Sequence, residues 1–143
     1  MATKVQTSNL NEQLGQVDYV FSDKTGTLTC NLMEYRKQAI GKFSYGVDGG
    51  VCRDAAAKGV TNFNLYDEVF VQHLNDKTHE NHQNIVNFLT HLAICHTVVA
   101  EEKDGQILYN ASSPDELALV NAAKYFGYFF VGRDEENNIE VNI

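Results

Sequence analysis

Apolar residues recur along this chain in two periods, and each switch between them marks a new element. Leu10 and Leu14 stand four apart, enough for one short amphipathic helical turn, with Thr7, Ser8 and Asn9 as candidate caps before it and Gly15 as its stop. Val17, Tyr19, Val20 and Phe21 follow as a β-branched and aromatic run, read as a buried strand that ends abruptly at Asp23. Residues 34–40 alternate weakly and predict a strand, and residues 48–62 are small and polar enough to predict a loop. Phe63, Leu65, Val69, Phe70, Val71 and Leu74 are spread through a polar stretch that suits helix or strand, and a helix over 66–75 is the reading adopted. Ile85, Phe88, Leu89, Leu92 and His96 fall at i, i+3, i+4, i+7 and i+11, which predicts a helix over 80–97.

The C-terminal third is punctuated more sharply. Residues 101–105 read as a charged turn and 106–109 as a short strand. Ser113, with Glu116 three residues later and Pro114 between them, has the form of a capping box opening a helix. That helix continues through Leu117, Val120 and Ala123 to a stop at Gly127. Residues 128–131 form an aromatic strand, and 139–143 alternate as another.

Chemistry concentrates at the end of the first apolar run. Asp23 is followed by Lys24, Thr25, Gly26 and Thr27, one cation and two hydroxyls around a glycine, which suits a tight loop closing on a phosphate. A carboxylate fixed at a strand end beside backbone N–H groups and a lysine can attack a phosphoryl group. The same residue types also make ordinary surface turns, and for an isolated Asp-Lys-Thr-Gly the turn would be preferred. The apolar run before it and Leu28-Thr29 after it favour the site.

Asp23-Lys24-Thr25-Gly26-Thr27-Leu28-Thr29 resembles the phosphorylation signature of the P-type ATPases, pumps built on a haloacid-dehalogenase-like core. The stretches 92–99 and 109–120, with Ser8-Asn9-Leu10-Asn11-Glu12 near the start, are similar to the phospholipid-translocating branch of that family, the lipid flippases. The resemblance implies an α/β start of a phosphorylation domain over 1–32, a hinge near 30–35, and a partial nucleotide-binding domain over 33–143 with a mainly antiparallel sheet and flanking helices. It implies that Asp23 is the nucleophile that becomes an aspartyl-phosphate, with Lys24 beside it. It also implies that ATP meets Asp23, Lys24, Thr25 and Glu116, the last at the adenine end, and that Mg2+ is held by the Asp23 carboxylate and the Thr25 carbonyl. Thr25 stands where related phosphatases carry a general acid–base Asp, so an acyl phosphate formed here would persist. The implied parent works at the cytoplasmic face of a membrane, moves a phospholipid, and has a possible accessory subunit.

Composition narrows the alternatives. Of 143 residues, 43% are hydrophobic and 21% charged, which suits a packed domain rather than a disordered tail. Eleven basic against nineteen acidic residues give a net charge of −8, which argues against non-specific nucleic-acid binding. Cys30, Cys52 and Cys95 form no Cys-x-x-Cys pair and read as reduced thiols. His91 and Cys95, four apart, supply two ligands where a structural zinc site takes about four. No apolar run reaches the roughly 18–20 residues that span a bilayer, so membrane segments of the parent are expected outside this chain. The expected downstream Gly-Asp-Gly-x-Asn-Asp carboxylates and stacking Phe are also absent, so the chain alone is expected to turn over no ATP. Two other readings stand beside the pump: a haloacid-dehalogenase-type phosphatase, disfavoured by Thr25, and a non-catalytic module that binds nucleotide or a partner.

Overall fold

The longest apolar stripe becomes helix α3 (His82–Ile94), whose Ile85, Leu89, Leu92 and Ala93 are buried. The computed structural model describes residues 10–103 and 105–143 and divides into two compact units, Met1–Asn31 and Leu32–Ile143. The candidate caps Thr7, Ser8 and Asn9, and Asp104 of the charged turn, lie outside the described residues.

In the first unit a short helix, α1 (Leu10–Leu14), is followed by extended chain and then the turn after Asp23. The strand expected over 17–22 does not form: Val20 is 84% and Phe21 95% exposed. The physical reason is the lack of a partner, since no described strand pairs with these residues. Without one, ladder N–H and C=O groups do as well in water. The α/β phosphorylation-domain core is therefore not visible in this unit.

The second unit is mixed helix and antiparallel strand. Strands β1 (Gln38–Ile40) and β2 (Phe43–Tyr45) form a hairpin across Gly41 and Lys42, followed by helix α2 (Glu68–Asn75) and then α3. Strands β3 (Val99–Lys103) and β4 (Gln106–Asn110) form a second hairpin, and helix α4 (Pro114–Tyr125) leads to a third between β5 (Phe129–Arg133) and β6 (Ile139–Asn142). The third carries a register shift between Phe130 and Gly132, leaving Val131 as the extra residue of a bulge. A mainly antiparallel sheet with flanking helices is the expectation; among the described residues the antiparallel pairing is found as three separate two-stranded ladders.

Two apolar clusters hold the unit together. The larger gathers Tyr35, Ile40, Tyr45, Phe63, Phe70, Ile85, Leu89 and the alanines Ala118, Ala122 and Ala123 of α4. The smaller is Val98, Val120 and Phe130. Small residues on α4 let α3 pack closely against it, while Val120 on the same helix reaches the second cluster. Buried polar groups are bonded where they fix loops. Asn81 donates from Nδ2 to the Ile40 carbonyl (3.0 Å) and the Tyr45 hydroxyl (2.9 Å). Lys124 donates to the carbonyls of Ile107 (2.8 Å) and Gly59 (3.2 Å), and burial holds its ammonium below the ordinary lysine range. Gly46 is required by its backbone: its φ is +109°, and a Cβ there would stand 2.6 Å from the Arg36 carbonyl.

Among the described residues no helix is long and apolar enough to cross a membrane.

Candidate functional site

Asp23 sits at the mouth of a turn built from the residues that follow it. Thr25 (φ −81°, ψ 120°) and Gly26 (φ +80°, ψ −8°) have the central angles of a type II β-turn over residues 24–27. The glycine is needed for that conformation alone, because a Cβ at Gly26 would meet nothing within 4 Å. Thr29 staples the turn: its N–H donates to the Lys24 carbonyl (3.0 Å). Its hydroxyl accepts from the Gly26 N–H (3.4 Å) and donates to the same Lys24 carbonyl (3.3 Å). This role of Thr29 was not read from the sequence, although a hydroxyl residue three beyond a glycine turn is the signal that could have shown it.

Asp23 itself is in extended conformation (φ −71°, ψ 144°) and exposed, and its side chain makes no capping bond to the turn. Ser22 donates to its backbone carbonyl at 3.2 Å, leaving the carboxylate unengaged among the described residues. Lys24 and Thr25 are exposed beside it. A carboxylate and the Thr25 carbonyl within one turn are hard oxygen donors, the class magnesium takes, with waters and phosphate oxygens as its usual other ligands. The described residues gather no cluster of three or more His, Cys, Asp or Glu around that turn, so the match to Mg2+ is one of donor type.

Glu116 belongs to the second unit, in the first turn of α4, and the structure revises its local role. The capping box is not formed: Ser113 makes no side-chain capping bond. The half-buried Glu116 carboxylate instead accepts a hydrogen bond from the exposed Thr97 hydroxyl, Oγ1 to Oε2 at 2.7 Å. Spacing within the helix could not reveal a partner nineteen residues away.

Thr97 follows His96 in the chain, a residue that the apolar periodicity assigned to α3. The helix ends at Ile94, and the His96 ring folds back so that Nε2 donates to the Ala93 carbonyl (2.9 Å) while Nδ1 accepts from the Val98 N–H (3.2 Å). Carbonyls only accept and amides only donate, so this is the neutral Nε2–H tautomer. The ring packs edge-on against Phe130 at 4.5 Å, and Arg133 donates to the His96 carbonyl at 3.2 Å. Burial, more than the charge of Arg133, pushes the His96 pKa below 6.5, against smaller upward pulls from the Ala93 carbonyl and Glu116.

A pH dependence follows. The folded chain binds the His96 proton less well than the unfolded chain, so this residue's contribution to stability is complete above pH 6.5 and is lost as pH falls below it. The NMR titration of the His96 imidazole is expected to have its midpoint below 6.5, with Nε2 carrying the proton on the alkaline side. A midpoint above 6.5 would contradict the buried neutral ring.

A cavity of about 900 Å³ lies elsewhere in the second unit, walled by Cys52, Arg53, Asp54, Tyr66, Glu68 and Tyr125 among others; Glu116 is not in its wall. Tyr125 donates to Asp54 at 2.7 Å, and this bond leads the causes that pull the Asp54 carboxyl down to about 2. The cavity lining carries three carboxylates, Asp54, Asp67 and Glu68, and a single guanidinium, Arg53, a balance that disfavours a polyphosphate.

No family model matches the chain. It is similar over nearly its whole length to segments of curated proteins. Phospholipid-transporting ATPase IC of Xenopus tropicalis is 40% identical over 141 residues, covering 92% of this chain and 11% of the relative. Phospholipid-transporting ATPase IK of Mus musculus is 44% identical over 146 residues, 95% of this chain and 10% of the relative. Phospholipid-transporting ATPase DRS2 of Saccharomyces cerevisiae is 43% identical over 144 residues, 97% of this chain and 10% of the relative. The chain thus spans about a tenth of the length of these relatives.

Proposed function

We propose, from the premise that this chain is a segment of the phospholipid-transporting P-type ATPase family, that it carries the phosphoryl acceptor and part of the nucleotide contact of an ATP-driven lipid translocase. The observation that carries this reading is the Asp23 carboxylate, exposed and unengaged among the described residues at the head of a stapled type II turn. A nucleophile needs a free lone pair, which an exposed carboxylate outside any capping bond retains.

The Asp23 carboxylate attacks the γ-phosphorus of ATP. An Oδ–P bond forms as the bond to the bridging oxygen breaks, and ADP leaves with the electron pair. Lys24, next in the chain, offsets negative charge as the phosphoryl group arrives. The Asp23 carboxylate and the Thr25 carbonyl would hold magnesium, which would supply charge neutralisation for the transfer. Thr25 has no proton-transfer group suited to activating water, so the acyl phosphate outlasts its formation. That property fits a pump, whose conformational step must follow phosphorylation, and counts against the phosphatase reading. Glu116, in the second unit, is the nucleotide contact at the adenine end. The parent works at the cytoplasmic face of a membrane, and its substrate is a phospholipid.

Glu116→Ala in the intact ATPase is expected to raise the ATP concentration for half-maximal phosphorylation about tenfold, the scale of one hydrogen bond to a charged group. The maximal phosphoenzyme level stays the same. Phosphoenzyme formation measured against ATP concentration checks it, and an unchanged dependence would remove Glu116 from the nucleotide site.

A further inference from the structure

We propose that Thr97 is the positioning residue for Glu116, clamping one carboxylate oxygen so that the other accepts a hydrogen bond from the 6-amino group of adenine; this rests on the nucleotide role of Glu116 proposed above. A glutamate at the third position of a helix ordinarily swings back towards its own cap. Here Ser113 makes no side-chain capping bond, and Glu116 has been drawn across to the Thr97 hydroxyl at 2.7 Å. That bond occupies Oε2 and leaves Oε1 without a protein donor among the described residues.

The donor is itself held firmly. Its neighbour His96 is buried and bonded at both ring nitrogens, and the His96 carbonyl is tied to Arg133. Thr97 therefore presents its hydroxyl from an anchored backbone, while the side chain lies exposed. A glutamate loses considerable rotamer freedom on binding a ligand, and a clamp made beforehand lowers that cost.

The arrangement also selects between bases. An ionised carboxylate only accepts, so it pairs with the 6-amino donor of adenine and is repelled by the 6-keto acceptor of guanine. Thr97 thereby supports the preference for ATP over GTP without touching the base.

The test compares phosphoenzyme formation in the intact ATPase with ATP and with GTP for Thr97→Val, Thr97→Ser, Glu116→Ala and the double variant. Thr97→Val, nearly isosteric, is expected to raise the half-saturating ATP concentration roughly fivefold and to narrow the ATP-to-GTP preference, with an unchanged maximal level. Thr97→Ser keeps the hydroxyl and is expected to restore both. Adding Thr97→Val to Glu116→Ala is expected to cost nothing further, because the clamp then holds nothing. If Glu116→Ala weakens ATP and Thr97→Val does not, the clamp is refuted while the nucleotide role of Glu116 stands. If neither variant alters ATP dependence, the underlying role fails and takes the clamp with it. Equal losses from Thr97→Val with and without Glu116 would make Thr97 a structural residue and overturn the proposal.

Discussion

Asp23→Asn is expected to abolish transfer of the γ-phosphoryl group from ATP to the protein. The amide nitrogen's lone pair is delocalised, so the isosteric side chain forms no acyl phosphate, and the loss should be complete rather than graded. Binding of ATP should survive, since one negative charge is removed from beside the phosphates. Asp23→Glu is expected to fail almost as completely, because a displacement of about 1 Å can cost roughly a hundredfold in a positioned reaction. The measurement is acid-stable, hydroxylamine-labile incorporation of radiolabel from ATP in the intact ATPase, with nucleotide binding followed in parallel. Labelling that persists in Asp23→Asn would place the acceptor at another residue and remove the basis of the proposed function.

The second large effect concerns stability. Phe70 is fully buried, with its ring edge-on to Tyr45 at 5.0 Å and to Phe126 at 4.7 Å, and its N–H is donated to the helix cap Asp67 at 2.9 Å. It joins α2 to the β1–β2 hairpin and to the end of α4. Phe70→Ala removes both aromatic contacts and leaves a cavity, so a loss of about 3–5 kcal/mol is expected. Against the roughly 5–15 kcal/mol that ordinarily separates folded from unfolded domains, this is a large fraction. Phe70→Leu keeps most of the volume and should cost less. Urea denaturation of the protein followed by far-UV circular dichroism checks both, and a loss below about 1 kcal/mol for alanine would show that α2 is not held through this ring.

What could be read from the residues alone divides along a physical line. Helix α3 was legible because it buries one face, which imprints the helical period on Ile85, Leu89 and Leu92. Helix α2, with only Phe70 buried, suited helix or strand. Helix α4 was read from Ser113, Pro114 and the Gly127 stop, since burial of residue 118 and of 120–124 on several sides leaves no single stripe. Strand β3 was read largely as a charged turn: Ala100, Glu101, Glu102 and Lys103 pair with β4 but bury no face, so no alternation marks them. The run at 17–22 failed in the opposite sense. Its residues suit a buried strand, but strand formation depends on a partner, and propensity alone does not provide one.

The candidate site was legible to a similar degree. Asp23 and its turn announce themselves because the turn's geometry demands Gly26 locally. Glu116 was visible as a helix-opening residue, yet its partner Thr97 was not, since that contact is tertiary. The bonding of His96 was hidden for the same reason: the ring lies beyond the helix whose period it extends.

The three separate hairpins bear on the order in which the larger unit assembles. Among the described residues every β ladder joins strands adjacent in the chain, so each can zip from its own turn with little loop-closure entropy, on a timescale of about 1–10 μs. The slow step falls instead to bonds that reach far along the sequence: Asn121 to Thr61, Lys124 to Gly59 and Tyr125 to Asp54, spanning 60, 65 and 71 residues. All three radiate from the last two turns of α4. Docking of that helix end is therefore expected to come late, and refolding rates of variants at Asn121, Lys124 and Tyr125 would check it.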